Sequence, residues 1–200
     1  MTEVLKVGDK VPNLIFDVYD PVEEDFKVVN LEDVLKERKW VILFFYPGDF
    51  TFVCPTELKD LADKYEDLKK LGAEVFSMST DSKYVHMAWQ KTEPLLKNVK
   101  FKMGSDGNGT ISKLFGIYNE EKGMSRRGTF IINPDGVLVG IEITYDNVGR
   151  NADELLRKVK AHVYLAKHPD EVCPAKWDEG SKTLKISKEL VGRVGDFINS

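Results

Sequence analysis

The chain has 200 residues, 42% hydrophobic and 31% charged, enough for one well-buried domain with a short extension. Its 29 basic and 33 acidic residues leave a formal charge of −4, which excludes the basic footprint of a nucleic-acid or anionic-membrane binder. No apolar run approaches the ~20 residues that span a bilayer. The start, Met1-Thr2-Glu3-Val4, has neither the basic cluster nor the apolar stretch of a signal peptide, so a cytoplasmic location is expected.

In chain order, the continuous apolar run from Trp40 to Tyr46 predicts a strand buried on both faces, ended by Pro47-Gly48-Asp49. A helix follows from about Pro55 to Leu71, with Leu58, Leu61, Ala62, Tyr65, Leu68 and Leu71 forming one apolar stripe. Pro55 suits its first turn and Gly72 its end. Glu74 to Ser79 reads as a strand, Lys83 to Gln90 as a helix and Val99 to Met103 as a short edge strand. After the turn Ser105-Asp106-Gly107-Asn108-Gly109 comes a short helix carrying Ile111, Leu114 and Phe115. Thr129 to Ile132 and Val137 to Ile143 form a hairpin through Asn133-Pro134-Asp135-Gly136. Ala152 to Lys167 is an amphipathic helix with Leu155, Leu156, Val159, Val163 and Leu165 inward. Beyond His168-Pro169 the periodicity fades. The order predicts an α/β fold, a central mixed sheet flanked by helices, in a domain over residues 3–167 followed by a C-terminal arm over 168–200.

The two cysteines are too few for a disulfide scaffold. A buried small hydrophobe is the ordinary reading of such a residue. Both, however, sit in Cys-Pro dipeptides, Cys54-Pro55 and Cys173-Pro174. They never combine with His86, His162 or His168 in the spacing of a metal site, and these histidines read as surface or packing residues. Cys54 lies where a buried strand and a tight turn feed the start of a helix. Free N–H groups and the positive end of the helix dipole there favour a thiolate over a thiol, though a cysteine at a helix start can also be inert. Pro47 can form a dry wall over the sulfur, and the Thr51 hydroxyl can donate to a thiolate or accept from a peroxide O–H. A turn proline and a helix-capping threonine are the plainer alternatives.

Pro47-x-x-x-Thr51-x-x-Cys54 resembles the signature of the peroxiredoxins, and Phe50-Thr51-Phe52-Val53-Cys54-Pro55-Thr56-Glu57 matches its most familiar form. Ser79-Thr80-Asp81-Ser82, Ala88-Trp89, Arg127-Gly128-Thr129-Phe130 and Glu171-Val172-Cys173-Pro174-Ala175-Lys176-Trp177 look like blocks of the typical two-cysteine class. The last block and Leu190-Val191-Gly192 are most similar to its bacterial alkyl hydroperoxide reductase branch. The resemblance implies a thioredoxin-like fold and a thiol-dependent peroxidase serving antioxidant defence. Cys54 would be the peroxidatic nucleophile, and Cys173 would resolve its sulfenic acid as a disulfide between two subunits of a homodimer. Arg127 joins Pro47 and Thr51 in the active site, where a fixed guanidinium can favour the thiolate and hold both peroxide oxygens. Without the motif, Arg127 is a surface cation near a strand start, as Arg126 is expected to be. Glu57 resembles the residue that orients the arginine, or else is a first-turn acid on the helix dipole.

Because Cys54 is pinned at a helix start, the first turn is expected to unravel before the sulfurs meet. A thioredoxin-like protein or a dedicated flavoprotein disulfide reductase would restore the dithiol. No cofactor or metal on this chain is implied, and residues around Phe50 and Val85 correspond to the surface through which relatives assemble dimers into a ring-shaped decamer. The chain has Lys97-Asn98-Val99-Lys100-Phe101 where peroxide-sensitive relatives carry a Gly-Gly-Leu-Gly insertion. It ends Gly195-Asp196-Phe197-Ile198-Asn199-Ser200 rather than with a helix bearing a Tyr-Phe pair. Resistance to overoxidation is therefore expected. Competing readings are weaker. A disulfide exchanger would want a second cysteine where Glu57 stands, a cysteine hydrolase needs a partnering histidine, and a holdase chaperone would keep its activity without thiols.

Overall fold

The computed structural model describes residues 4–198; residues 1–3, which hold most of the start read against a signal peptide, and 199–200, the last two of the C-terminal comparison, lie outside the described residues. The chain divides into two compact units, Met1–Ala152 and Asp153–Ser200.

The first unit is built on a seven-stranded sheet. Its strands are β1 (Ile15–Asp20), β2 (Asp25–Asn30), β3 (Trp40–Phe45), β4 (Ala73–Ser79), β5 (Lys102–Ser105), β8 (Arg127–Ile132) and β9 (Leu138–Thr144), in the order β2-β1-β5-β4-β3-β8-β9. A small separate hairpin pairs β6 (Tyr118–Asn119) with β7 (Met124–Ser125). The pairs β3–β4 and β4–β5 are parallel and the other sheet pairs antiparallel, the mixed sheet expected. Every residue of β3 is buried, as its unbroken apolar run requires of a central strand.

Side-chain alternation divides the sheet into two chemically different faces. Val41, Leu43 and Phe45 of β3 join Phe16, Val18, Phe76, Met78, Phe130 and Ile132 in one apolar cluster, with Leu31 of α1 (Leu31–Lys36) and Ile111 of α4 (Thr110–Leu114). The opposite face carries Phe44, in register with Ser77 and Thr129. The long helix α2 (Cys54–Lys70) packs against β4, and α3 (Lys83–Thr92) against β1 and β5. In α2, Leu58, Leu61 and Leu68 are wholly buried, each contributing roughly 1.5–3 kcal/mol relative to exposure. The helix stops at Leu71, and Gly72 takes the left-handed conformation at φ 79°.

Two expectations are corrected here. The strand near residue 100 runs Lys102–Ser105 rather than Val99 to Met103, and it is interior, between β1 and β4, rather than an edge. Val99 and Phe101 are buried but precede it, in a turn whose Phe101 ring packs edge-on against Tyr65 at 5.6 Å. The elements β1, β2 and α1 were not anticipated, and they make β2 one true edge of the sheet.

In the second unit, α5 (Ala152–Lys167) buries Leu155, Leu156 and Val159. The segment after it is ordered: β10 (Glu171–Val172) pairs with β11 (Leu184–Lys185), and α6 (Val194–Ile198) follows. Among the described residues, no helix is long and apolar enough to cross a membrane.

Candidate active site

The loop joining β3 to α2 is held by a buried polar network. The Tyr46 hydroxyl donates to Asp49 Oδ1 at 2.7 Å, and the Asp49 N–H donates to Asp81 Oδ2 at 2.8 Å. His86, wholly buried, lies between the Asp49 carboxyl (Nδ1 to Oδ2, 2.7 Å) and the Gly104 carbonyl (Nε2 to O, 3.1 Å). Of the two readings of His86, the structure bears out packing rather than surface, and the packed ring is also a polar tie between this loop and β5. Burial raises the Asp49 carboxyl above its ordinary value, against the pull of His86. These anchors let Phe50 adopt a left-handed backbone at φ 55°, uncommon for a bulky residue, with its ring 6.2 Å from Trp89.

Cys54 is the first residue of α2 and is fully buried. Arg127 meets it from β8. Arg127 and Thr129 share the sheet face that α2 packs against, so a strand position and a helix start 73 residues apart converge. Arg127 Nη1 donates to Cys54 Sγ at 3.3 Å and to Glu57 Oε2 at 2.5 Å, while Nε donates to the Asp146 carbonyl at 2.8 Å. Burial alone would weaken the charge on this guanidinium. The Cys54 sulfur and Glu57 outweigh it and raise Arg127 above its ordinary value.

Glu57, one turn into α2, ties two arginines together. Its Oε1 accepts from the backbone N–H (2.8 Å) and Nε (2.9 Å) of Arg150, and its Oε2 from Arg150 Nη2 (3.2 Å) as well as from Arg127. Arg150 also donates to Thr129 Oγ1 at 3.0 Å and lies over the Phe44 ring, 3.5 Å from its centroid. Arg150 was not anticipated. It stands alone in the loop Gly149-Arg150-Asn151, where no periodicity marks a charge as buried.

Pro47 and Thr51 lie on the loop leading to Cys54. The Thr51 hydroxyl donates to the Gly48 carbonyl at 2.8 Å, leaving its oxygen lone pairs as acceptors. Arg126, the neighbour of Arg127, is partly exposed beside Asp146. Cys173, in the second unit, is a half-buried free thiol. Burial raises it above its ordinary value, and Glu171 adds to the effect while Arg157 opposes it. Among the described residues, no cluster of three or more His, Cys, Asp or Glu side chains is arranged to hold a metal ion.

The comparisons with known proteins agree with one another. A model of the AhpC/TSA family matches residues 7–141. The chain is 50% identical over 171 residues to the alkyl hydroperoxide reductase C of Amphibacillus xylanus, covering 86% of this chain and 90% of that protein. It is 44% identical over 188 residues to the same-named protein of Staphylococcus haemolyticus, covering 94% and 98%. Among solved structures, Enterococcus faecalis AhpC superposes with a TM-score of 0.79 at 42% identity, over 84% of this chain and 98% of that one. Reduced Plasmodium vivax 2-Cys peroxiredoxin superposes with a TM-score of 0.89 at 32% identity, over 98% and 100%. A buried cysteine gripped by an arginine on a thioredoxin-like sheet, and agreement over most of the length of these relatives, lead to one conclusion: the chain belongs to the AhpC/TSA family of peroxiredoxins.

Proposed function

We propose that this thiol-dependent peroxidase uses Cys54 as the attacking sulfur and Cys173 as the resolving one, and reduces hydrogen peroxide and organic hydroperoxides. The observation that carries the reading is the Arg127 guanidinium, aimed at Cys54 Sγ from 3.3 Å and fixed from behind by Glu57 and the Asp146 carbonyl. A thiolate at Cys54 attacks the terminal peroxide oxygen and the O–O bond breaks. The leaving oxygen takes a proton and departs as water or an alcohol, and Cys54 becomes a sulfenic acid. Negative charge grows on that leaving oxygen, so a donor already aimed at the site stabilises the transition state more than the ground state. The Thr51 oxygen, its proton committed to Gly48, is suited to accept the O–H of the peroxide, and Pro47 to keep bulk water off the sulfur.

The Cys173 sulfur then displaces water from the sulfenic acid, forming a disulfide. Buried Cys54 has no open approach, so the first turn of α2 unwinds for this step. An external dithiol, from a thioredoxin-like protein or a flavoprotein disulfide reductase, reduces the bond. The cycle is cytoplasmic and serves redox homeostasis.

A homodimer is supported by the uncovered edge strand β9, which leaves Ile141, Ile143 and the following Tyr145 exposed. Assembly of dimers into a ring-shaped decamer is supported by exposed Phe50 beside α3, the helix that carries Val85. Cys54→Ser is expected to abolish peroxide consumption. Cys173→Ser is expected to keep the first oxidation and lose turnover with a dithiol; full activity of the Cys54 variant would overturn the reading.

A further inference from the structure

We infer that Glu171 is a positioning residue for the second half of the cycle: its carboxylate latches the segment that carries Cys173, and the latch must open before the disulfide forms. The inference rests on the reading of Cys173 as the resolving residue. Three stretches of the second unit meet at this one side chain. The Tyr164 hydroxyl, from α5, donates to Glu171 Oε2 at 2.7 Å, and the Thr183 hydroxyl, one residue before β11, donates to the same oxygen. Glu171 itself lies in β10, paired with Lys185 of β11, two residues before Cys173.

A second anchor stands four residues after the cysteine. Trp177 is buried, its ring 5.1 Å from that of Tyr164, and its carbonyl accepts from Arg157 Nη1 at 2.7 Å. Tyr164 is thus shared by both anchors and is further fixed by the His168 ring stacked on it at 4.1 Å. Cys173 is clasped on either side within a few residues. A disulfide needs Cα atoms about 4.4–6.8 Å apart in a defined orientation, and a clasp on either side of Cys173 restricts the movement by which it could reach that geometry. The hydroxyls that hold Glu171 bond to a charged acceptor, the stronger kind of hydrogen bond, so they hold the resting arrangement closed. Burial, and with it the same carboxylate, disfavours ionisation of the Cys173 thiol in the resting arrangement.

The test compares full-length wild type with the double variant Tyr164→Phe/Thr183→Val and with Glu171→Gln, after one equivalent of hydrogen peroxide in a rapid-mixing experiment. Loss of two charge-assisted hydrogen bonds is expected to speed disulfide formation on the order of tenfold, with the rate of Cys54 oxidation unchanged. The amides of Leu184 and Lys185 should exchange hydrogen faster. Glu171→Gln, which keeps an acceptor oxygen, should show a smaller acceleration. It alone should move the pH profile of disulfide formation to lower pH, because it alone removes the charge beside the thiol. Slower or unchanged disulfide formation with normal Cys54 oxidation overturns the latch. Undiminished dithiol-supported turnover in Cys173→Ser would instead overturn the resolving assignment on which the latch rests.

Discussion

Replacing Glu57 with glutamine changes one atom, yet the geometry makes it consequential for both rate and stability. The carboxylate is almost fully buried and accepts four hydrogen bonds, one from Arg127 and three from Arg150. An amide can accept on one side only; on the other its NH2 faces donors. Two buried guanidiniums then lose their shared counter-charge, and breaking such a pair costs ~3–5 kcal/mol of stability. The effect on rate is smaller and separable. Losing an aimed donor outright costs ~2.7–4 kcal/mol of transition-state stabilisation. Arg127 keeps its bond from Nε to the Asp146 carbonyl, so roughly half of that, ~1.5–2 kcal/mol, is expected, a ~10–30-fold slower reaction. Stopped-flow measurement of the second-order rate constant for Cys54 oxidation, beside urea unfolding of the same samples, gives both numbers. A variant that is destabilised yet oxidised at the wild-type rate would refute the claim that Glu57 holds Arg127 in its productive position.

Other outcomes follow from the same contacts. Arg127→Lys keeps the charge but cannot reach Cys54, Glu57 and the Asp146 carbonyl together, so Cys54 oxidation should slow at least about tenfold in the same assay. In the reduced protein, alkylation of Cys173 should climb as pH rises past the ordinary thiol range, because burial and then Glu171 favour its neutral form; peptide mapping showing full reactivity at neutral pH would contradict this. Gly104→Ala would set a Cβ 2.3 Å from Met78 Sδ and 3.1 Å from the Phe16 ring, and chemical denaturation should show a loss of about 1–3 kcal/mol.

How legible all this was in the sequence depended on the kind of signal. Strand β3 and helix α2 announced themselves, one by an unbroken apolar run and the other by a stripe at helical spacing, so the junction carrying Cys54 was placed correctly. The approach of Arg127 to that junction was known only through the motif. Its physical cause, the antiparallel pairing of β8 with β3, links segments about ninety residues apart that no local pattern connects. Arg150 carried neither motif nor periodicity and was missed, although it makes most of the bonds to Glu57. The interior strand β5 was displaced because Val99 and Phe101 are the apolar residues there, whereas the strand itself contains Gly104 and Ser105 and leads into turn-forming Asp106-Gly107. Its neighbour β1 went unread because Asp20, which closes it, is a buried acid held by Lys27 and by backbone N–H groups rather than a mark of the surface. In the C-terminal arm the periodicity fades because its order rests on a few anchors, Trp177 and Leu184 among them, rather than on repeated spacing.

The most direct test of the account is to treat the Cys173→Ser protein with one equivalent of hydroperoxide in the presence of a sulfenic-acid trapping reagent and to locate the adduct by mass spectrometry. The account predicts a single adduct, on the peptide bearing Cys54, and its slower formation in an Arg127→Lys background. Peroxide consumed with Cys54 left unlabelled, or labelling indifferent to Arg127, would contradict it.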